Sequence, residues 1–207
     1  MDTSLVFVFQ IIVLVYSVVI HEVSHGVMAN ALGDPTAKHL GRLTLNPLKH
    51  LDMFGSVILP LFLFLVRSPF LFGYAKPVPY NPQNLTDQRY GPAKVAFAGP
   101  ASNLLLAFLF GMVIRFLPGT GPYELAIQLL SSIVLVNLVL AVFNLVPIPP
   151  LDGHWLLMTF LPARFVRTRI FLYRNGLFLL FAVILFVFPF IFQVVGFLFR
   201  LITGIAL

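Results

Sequence analysis

The chain has no cysteine and few charged residues. Its 207 residues include 13 Lys and Arg, 7 Asp and Glu, and 1 Trp. Without cysteine it can form no disulfide, no thiolate zinc site and no thiol nucleophile. Charged residues make up 10% of the sequence, whereas soluble domains carry about 25%. So little charge excludes a disordered chain, a coiled coil and an ordinary soluble enzyme.

Apolar residues take the place of the missing charge. They make up 59% of the chain, which contains 23 Phe, and the mean hydropathy is +0.99. A single soluble core of this size could not bury so much apolar surface. We therefore predict one membrane-embedded domain over residues 1–207, in contact with the lipid bilayer. The net charge of +6 does not indicate a nucleic-acid partner, because the basic residues flank apolar segments.

Four apolar segments are long enough to cross a bilayer as helices, for which about 20 residues suffice. They are residues 4–32, 92–117, 123–146 and 177–199. A fifth apolar stretch, residues 53–72, is interrupted by prolines, and residues 73–81 hold too many prolines for a helix. The predicted fold class is an all-α polytopic membrane protein with about four transmembrane helices. It adds a re-entrant or interfacial hydrophobic hairpin at 53–72 and a short membrane-associated extended or β segment at 73–81.

Basic residues cluster in three places between these segments. They follow the first spanning segment, precede the second and follow the third: Lys38, Arg42 and Lys49; Lys76, Arg89 and Lys94; Arg164, Arg167, Arg169 and Arg174. Loops rich in Lys and Arg remain in the cytoplasm, so all three are predicted to lie on that side. Residues 53–72 must then return to the side from which they started, which is why a hairpin is expected there.

The strongest chemical signal is the run His21-Glu22-Val23-Ser24-His25. Residues four apart lie on one face of a helix. Two imidazoles at that spacing can bind one tetrahedral Zn²⁺, and the Glu between them can act on water. Three ionisable residues in an apolar helix are costly unless they are paired, hydrated or bound to metal. The alternative is a group of polar residues at the membrane interface.

A zinc site needs a third protein ligand, and few residues can supply one. Asp2 and Glu124 lie on the opposite side in the predicted topology. The other acidic candidates lie in polar loops, where a solvated position is expected: Asp34, Asp52 and Asp87. Asp152 follows a spanning segment that ends on the same side as His25, and Gly153 beside it allows close backbone approach. An alternative role for Asp152 is to cap the helix that follows.

Two motifs together resemble the site-2 protease family of intramembrane zinc metalloproteases. His-Glu-x-x-His falls at residues 21–25, and Asn-x-x-Pro-x-x-x-Leu-Asp-Gly falls at residues 144–153. A softer signature, Gly-Pro-Ala-Ser-Asn, falls at residues 99–103 inside a spanning segment, where Gly-Pro predicts a kink or close packing. The chain is similar to the compact branch of the family, which lacks PDZ and CBS domains. Residues 73–81 resemble the membrane-embedded β-hairpin of better-known members, whereas the apolar stretch 53–72 departs from them.

The resemblance implies a chemistry and a set of residues. It implies one Zn²⁺ per chain, bound by His21, His25 and Asp152, with Glu22 as the catalytic base. It implies an intramembrane metalloendopeptidase that hydrolyses peptide bonds of transmembrane or membrane-associated substrates, in regulated intramembrane proteolysis. The expected location is the cytoplasmic membrane of a prokaryotic cell, with the active site toward the cytoplasm.

Two other functions remain open from the residues alone. One is a membrane metal carrier or transporter, and the other is a non-catalytic binding homologue. The intact Glu22 argues against both, because a carrier has no use for a general base at that spacing. A non-catalytic homologue would usually have lost Glu22 or Asp152. The sequence carries no signal for an oligomeric state.

Asparagines in the apolar segments are further candidates. A buried amide needs partners, since an unpaired one costs about 1–3 kcal/mol. Asn103 and Asn144 are expected to hold substrate near the zinc, and the alternative for each is an interhelical hydrogen bond. For Asn137 we favour the hydrogen bond between helices.

Lys76 is the third candidate for substrate binding. It lies in the proline-rich segment, whose edge could pair with an unwound substrate strand. His154, two residues from Asp152, is a candidate for supporting the metal ligands through hydrogen bonds. His39 and His50 lie in polar loops and are expected at the surface.

Overall fold

A computed structural model describes residues 3–58, 61–62, 65–66, 75–118 and 121–205. Its principal helices are α1 (Thr3–Ala31), α2 (Gly91–Phe116), α3 (Glu124–Asn144), α4 (Gly153–Phe160) and α5 (Val166–Thr203). All except the short α4 are long and apolar enough to cross a membrane. No β-strand occurs in the described residues, which confirms the predicted all-α class with four spanning helices.

Helix α2 lies at the centre of the bundle and contacts α1, α3, α4 and α5. The main apolar core lies between α2, α3 and α5 and contains Ala107, Ile114, Val134, Leu138, Val183, Ile191, Val195 and Phe199. Large apolar side chains such as Phe7 on α1 and Phe178 on α5 are exposed on the outer faces of the bundle. Such outer faces suit lipid, which is as apolar as the side chains themselves.

Helix α5 is longer than predicted. Three of the four basic residues expected in a connector before residue 177 are helical because α5 begins at Val166, and Arg164 lies in the 3₁₀ turn just before it. At 1.5 Å per residue its 38 residues extend about 57 Å, nearly twice the thickness of the hydrocarbon core of about 30 Å. Its first turns, which carry Arg167, Arg169 and Arg174, can therefore lie beyond the apolar region. A π-helical turn at Val183–Val187 precedes Pro189, which has no N–H for a regular α-helical bond.

Half of the predicted hairpin, including all of residues 67–72, lies outside the described residues. Met53–Ile58 forms a π-helical turn, whereas residues 67–74 and Asp2 are not among those described. The re-entrant path of 53–72 therefore stays a prediction. Residues 75–81 have no regular secondary structure, and no β-strand lies beside them in the described part of the chain, so the extended or β segment stays a prediction.

The segment 75–81 is held to the end of α1 by Asp34. Asp34 is fully buried, and its carboxylate accepts hydrogen bonds from the Asn81 backbone N–H at 2.6 Å and from Asn84 Nδ2 at 2.9 Å. Burial alone would raise the pKa of Asp34, but the hydrogen bonds from Thr36, Asn84 and Asn81 lower it. The solvated position expected for Asp34 is wrong, because the loop after residue 81 closes over it.

His50 and Arg42 hold the same segment from the other side. His50 is 1% exposed; its Nε2 donates to Thr44 O at 2.8 Å, and its carbonyl accepts from the Lys76 N–H at 2.8 Å. Arg42 Nη2 donates to Lys76 O at 2.9 Å. The surface position expected for His50 is wrong, because the residue is buried where the segment 75–81 bonds to it, whereas His39 is exposed as expected.

Candidate metal centre

Three side chains from distant parts of the sequence meet at one point. His21 and His25 lie one turn apart on α1, and Asp152 lies at the end of the loop between α3 and α4. Asp152 Oδ2 is 3.0 Å from His21 Nε2 and 3.3 Å from His25 Nε2, and the two Nε2 atoms are 3.1 Å apart. The three atoms form a nearly equilateral triangle.

The protonation of the two imidazoles follows from their outer partners. Asn103 Oδ1 lies 2.6 Å from His21 Nδ1, and the Val95 carbonyl oxygen lies 2.7 Å from His25 Nδ1. Both oxygens only accept hydrogen bonds, so each Nδ1 carries the proton that it donates. A neutral imidazole then has a lone pair on Nε2. Both lone pairs therefore face the carboxylate of Asp152.

Three acceptor atoms that converge without a donor need a cation between them. With both Nδ1 atoms protonated, neither Nε2 can donate a hydrogen bond to Asp152. The group therefore offers two neutral nitrogens and one negative oxygen, which is a zinc donor set. Ligands about 2.0–2.1 Å from a tetrahedral Zn²⁺ lie about 3.3 Å apart, close to the edges of this triangle. The residues present fit the metal.

A buried network of amide side chains holds His21 through Nδ1, the ring nitrogen that does not face Asp152. Asn103 is fully buried on α2, and its Nδ2 donates to Asn137 Oδ1 at 2.8 Å and to Ser17 O at 3.3 Å. Asn137 Nδ2 in turn donates to Ser17 Oγ at 2.9 Å. Both ends of the Asn103 amide are engaged within the protein. This geometry favours a role in orienting His21 over the predicted contact with substrate.

Glu22 lies beside the triangle and is held by the segment 75–81. Its Oε2 accepts a hydrogen bond from the Val78 backbone N–H at 2.8 Å. Glu22 and the three candidate ligands line one cavity of about 210 Å³. Its remaining lining residues are Pro77, Val78, Tyr80, Val95, Ala96, Asn144, Pro150 and Trp155. A carboxylate, a candidate metal site and space for a small group therefore occur together.

The helix cap proposed as an alternative role for Asp152 is not formed. Asp152 occupies the N-cap position of α4, but its side chain makes no capping hydrogen bond there. The carboxylate turns to the two histidines instead. Gly153 allows this turn, because a Cβ at that position would overlap the Leu145 carbonyl group.

Gly99 brings α2 against the candidate ligands. A Cβ at this position would lie 2.5 Å from His25 Nε2 and 2.6 Å from His21 Nε2, closer than real Cβ contacts allow. The predicted close packing at Gly99-Pro100 is confirmed. The side chain that would be displaced is itself a candidate ligand, so glycine is required here for the site and not only for the helix.

A Gly99→Ala variant is expected to lose stoichiometric zinc, because the added methyl group overlaps both Nε2 atoms. Zinc content after purification measures the effect. Gly111→Ala is the matched control: on the same helix, its Cβ would meet Ile202 Cγ2 at 2.5 Å, away from the site. Gly111→Ala should keep zinc even where its thermal stability falls. Zinc retention by Gly99→Ala would contradict the assignment.

The other predicted residues do not all line the cavity. Asn144 lines the cavity, and its Nδ2 donates to Leu140 O at 2.9 Å. The Lys76 side chain is exposed, and its backbone N–H and C=O are bonded to His50 and Arg42. His154 is buried, with Nδ1 at 2.6 Å from Leu151 O and its ring against Trp155 and Tyr173. The structure brings Asn144, but not Lys76, to the cavity.

Sequence reasoning missed several residues of the site. The Val95 carbonyl and the Val78 N–H are backbone groups, which leave no trace in residue types. Ser17 is one helical turn before His21, and its polarity in an apolar helix was a usable signal. Tyr80 lines the cavity, but in the sequence it is only one residue of the proline-rich segment 73–81.

Four membrane-length helices, together with a site of two histidines, an aspartate and a glutamate, define a membrane-embedded metalloprotease. The sequence profile of Peptidase family M50 matches residues 9–128 and 123–188. The chain belongs to this family, the site-2 protease family, and is an integral membrane zinc metalloprotease.

Several named proteins are similar to this chain in sequence. Three share the printed name "Putative zinc metalloprotease". YwhC of Bacillus subtilis (strain 168) is 39% identical over 160 residues, which cover 74% of this chain and 69% of that protein. Rip2 of Mycolicibacterium smegmatis is 33% identical over 151 residues, 72% of this chain and 56% of that protein. MJ0611 of Methanocaldococcus jannaschii is 42% identical over 71 residues, 34% of each chain. No solved structure is significantly similar to the chain.

Proposed function

We propose that this metalloprotease is an endopeptidase that cuts transmembrane or membrane-associated proteins within or at the surface of the bilayer. The observation that carries the proposal is the convergence of His21, His25 and Asp152 beside Glu22, between helices of membrane-spanning length. We assign the first three residues as zinc ligands and Glu22 as the catalytic base. The release of a regulatory fragment from the substrate is part of the same proposal.

The size of the cavity indicates how the substrate binds. At about 210 Å³ it is too small for a helix, which is about 10–12 Å across with its side chains. A helical substrate also hides its peptide groups in its own hydrogen bonds. We infer that the substrate unwinds locally, so that one extended stretch enters beside Asn144. Asn144 can then bind the substrate backbone by exchanging its bond to Leu140 O.

Pairing of the substrate with the segment 75–81 requires rearrangement. Pro77 and Pro79 have no N–H, and the N–H groups of Lys76 and Val78 already donate to His50 O and Glu22. A substrate strand must replace these partners to form a ladder. Release of Val78 would also release the Glu22 carboxylate, so substrate pairing and activation of Glu22 would occur together.

In the proposed mechanism some residues bind the metal ion and Glu22 transfers protons. Bound zinc supplies Lewis acidity toward the peptide carbonyl and toward water. Glu22 accepts a proton from the attacking water and delivers it to the leaving amine. Asn103 and Val95 hold His21 and His25 in the tautomer that keeps Nε2 free. We place the site toward the cytoplasm of a prokaryotic cell, because the basic loops lie on that side by the positive-inside rule.

Removal of zinc tests the proposal directly. Purified wild-type protein in detergent should cleave members of a panel of transmembrane peptides, with products identified by mass spectrometry. A chelator should abolish cleavage, and one equivalent of Zn²⁺ per chain should restore it. Zinc uptake into sealed vesicles that contain the protein, measured in parallel, tests the alternative function of a metal carrier. Zinc uptake without peptide cleavage would favour a metal carrier over a protease. Zinc binding without uptake or cleavage would favour a non-catalytic binding homologue.

A further inference from the structure

Tyr80 carries a buried hydroxyl group that bonds to nothing in the described residues. Four buried side-chain atoms share this property: Arg42 Nε, His50 Nδ1, Tyr80 Oη and Arg169 Nε. More than about 90% of buried polar groups have a partner, so each exception needs a physical reason.

The three unpartnered nitrogen atoms can be explained by other bonds of the same side chains, whereas the Tyr80 hydroxyl cannot. In each of the other three side chains a second nitrogen binds a backbone carbonyl: Arg42 Nη2 binds Lys76 O, His50 Nε2 binds Thr44 O, and Arg169 Nη2 binds Leu161 O. Those side chains are needed for structure, and one atom is left over. Tyr80 has a single polar atom, so no second bond accounts for its burial.

The location of Tyr80 can explain why its hydroxyl is buried without a partner. Tyr80 lines the same cavity as His21, Glu22 and Asp152. Its ring packs against Ala29, Leu85 and Val95, which fixes the side chain against the core. Burial, with the nearby negative charge of Asp152, raises the pKa of Tyr80 to about 12. The phenol is therefore a hydrogen-bond donor at physiological pH.

We propose that Tyr80 Oη donates a hydrogen bond to the carbonyl oxygen of the scissile peptide while that oxygen gains negative charge. The inference rests on the proposed endopeptidase activity. Water adds to the carbonyl carbon, its proton passes to Glu22, and the carbonyl π electrons move to the oxygen. Tyr80 keeps its own proton throughout. A fixed donor that meets this charge accelerates the reaction, because it interacts more strongly with the transition state than with the substrate.

Stability and activity should respond in opposite directions to loss of the hydroxyl. A buried donor without a partner destabilises the folded state, so Tyr80→Phe should keep or raise the thermal midpoint. A merely structural hydroxyl would lower the midpoint when removed. The combination of unchanged or higher stability with lower activity is therefore specific to a group that acts on the substrate.

The experiment compares the wild type, Tyr80→Phe and Tyr123→Phe. Tyr123 is 42% exposed at the start of α3 and serves as the matched control. For Tyr80→Phe we expect one zinc per chain, KM within about twofold of wild type and kcat lower by about 10²-fold, the loss typical of one such donor. A phosphinic peptide, which bears a negative oxygen at the reacting position, should bind Tyr80→Phe more weakly by a similar factor. A non-cleavable peptide with an ordinary carbonyl should bind both equally.

Three results would overturn the inference. Equal kcat and equal affinity for the phosphinic peptide in Tyr80→Phe would remove the assigned role and leave the protease intact. A lower thermal midpoint would show that the hydroxyl has a structural partner. Zinc binding by a wild type that cleaves no peptide would overturn the proposed function, and the role of Tyr80 with it.

Discussion

A Glu22→Gln variant is expected to bind one zinc per chain and to cleave peptides about 10²–10⁴-fold more slowly than the wild type, the range for loss of a general base. Glutamine has the same shape, and its carbonyl oxygen can still accept the Val78 N–H that holds Glu22 in the structure. The amide cannot take a proton from water. The variant therefore removes basicity from the site and leaves its geometry in place.

Glu124→Gln is the matched control for this change. Glu124 is exposed at the first turn of α3, and its neutralisation should alter neither zinc content nor turnover. Zinc is measured by mass spectrometry of the purified protein, and cleavage by product formation from a transmembrane peptide. Turnover by Glu22→Gln within about threefold of wild type would exclude Glu22 as the base, since such a base contributes far more. Zinc loss in Glu22→Gln would indicate a ligand role instead.

The apolar runs and two short motifs made much of the fold predictable. Helix length follows from the length of each apolar run, and His21 and His25 share a face because of helical periodicity. Gly99 was predictable as a point of close packing, although not as the residue that touches both Nε2 atoms. These inferences depend on local periodicity or on residue type, both of which a sequence displays directly.

The parts that could not be predicted depend on which elements cover one another. Asp34 and His50 lie in polar loops, and only the path of the segment 75–81 across them makes them buried. The contact of Asn103 with Asn137 and Ser17 depends on the relative rotation and axial shift of three helices. A one-turn shift of α3 would separate the two amides while leaving the apolar pattern unchanged. Packing of this kind has no local signal in an apolar helix.

Asp152→Asn is expected to lose zinc while keeping the helical fold. The change replaces the single negative charge of the donor set with a neutral amide, whose affinity for zinc is far lower. Loss of a supporting group around a metal costs about 10–100-fold in affinity, so loss of a direct ligand should exceed about 100-fold. Competition with a zinc chelator measures this shift, and circular dichroism measures the helical content. Cleavage should fall with zinc occupancy, and a large excess of zinc should restore part of it.

Asp34→Asn separates ligand loss from the general effect of altering a buried aspartate. Asp34 is more completely buried than Asp152, and its oxygens accept from Asn81, Asn84 and Thr36. An asparagine there places an NH₂ group against one of those donors, so thermal stability should fall while one zinc per chain remains. The opposite pattern, with zinc kept by Asp152→Asn and lost by Asp34→Asn, would move the third ligand away from Asp152. Because two imidazoles alone leave a tetrahedral ion with two open positions, that result would require another oxygen donor at the cavity, and Glu22 would be the first to test.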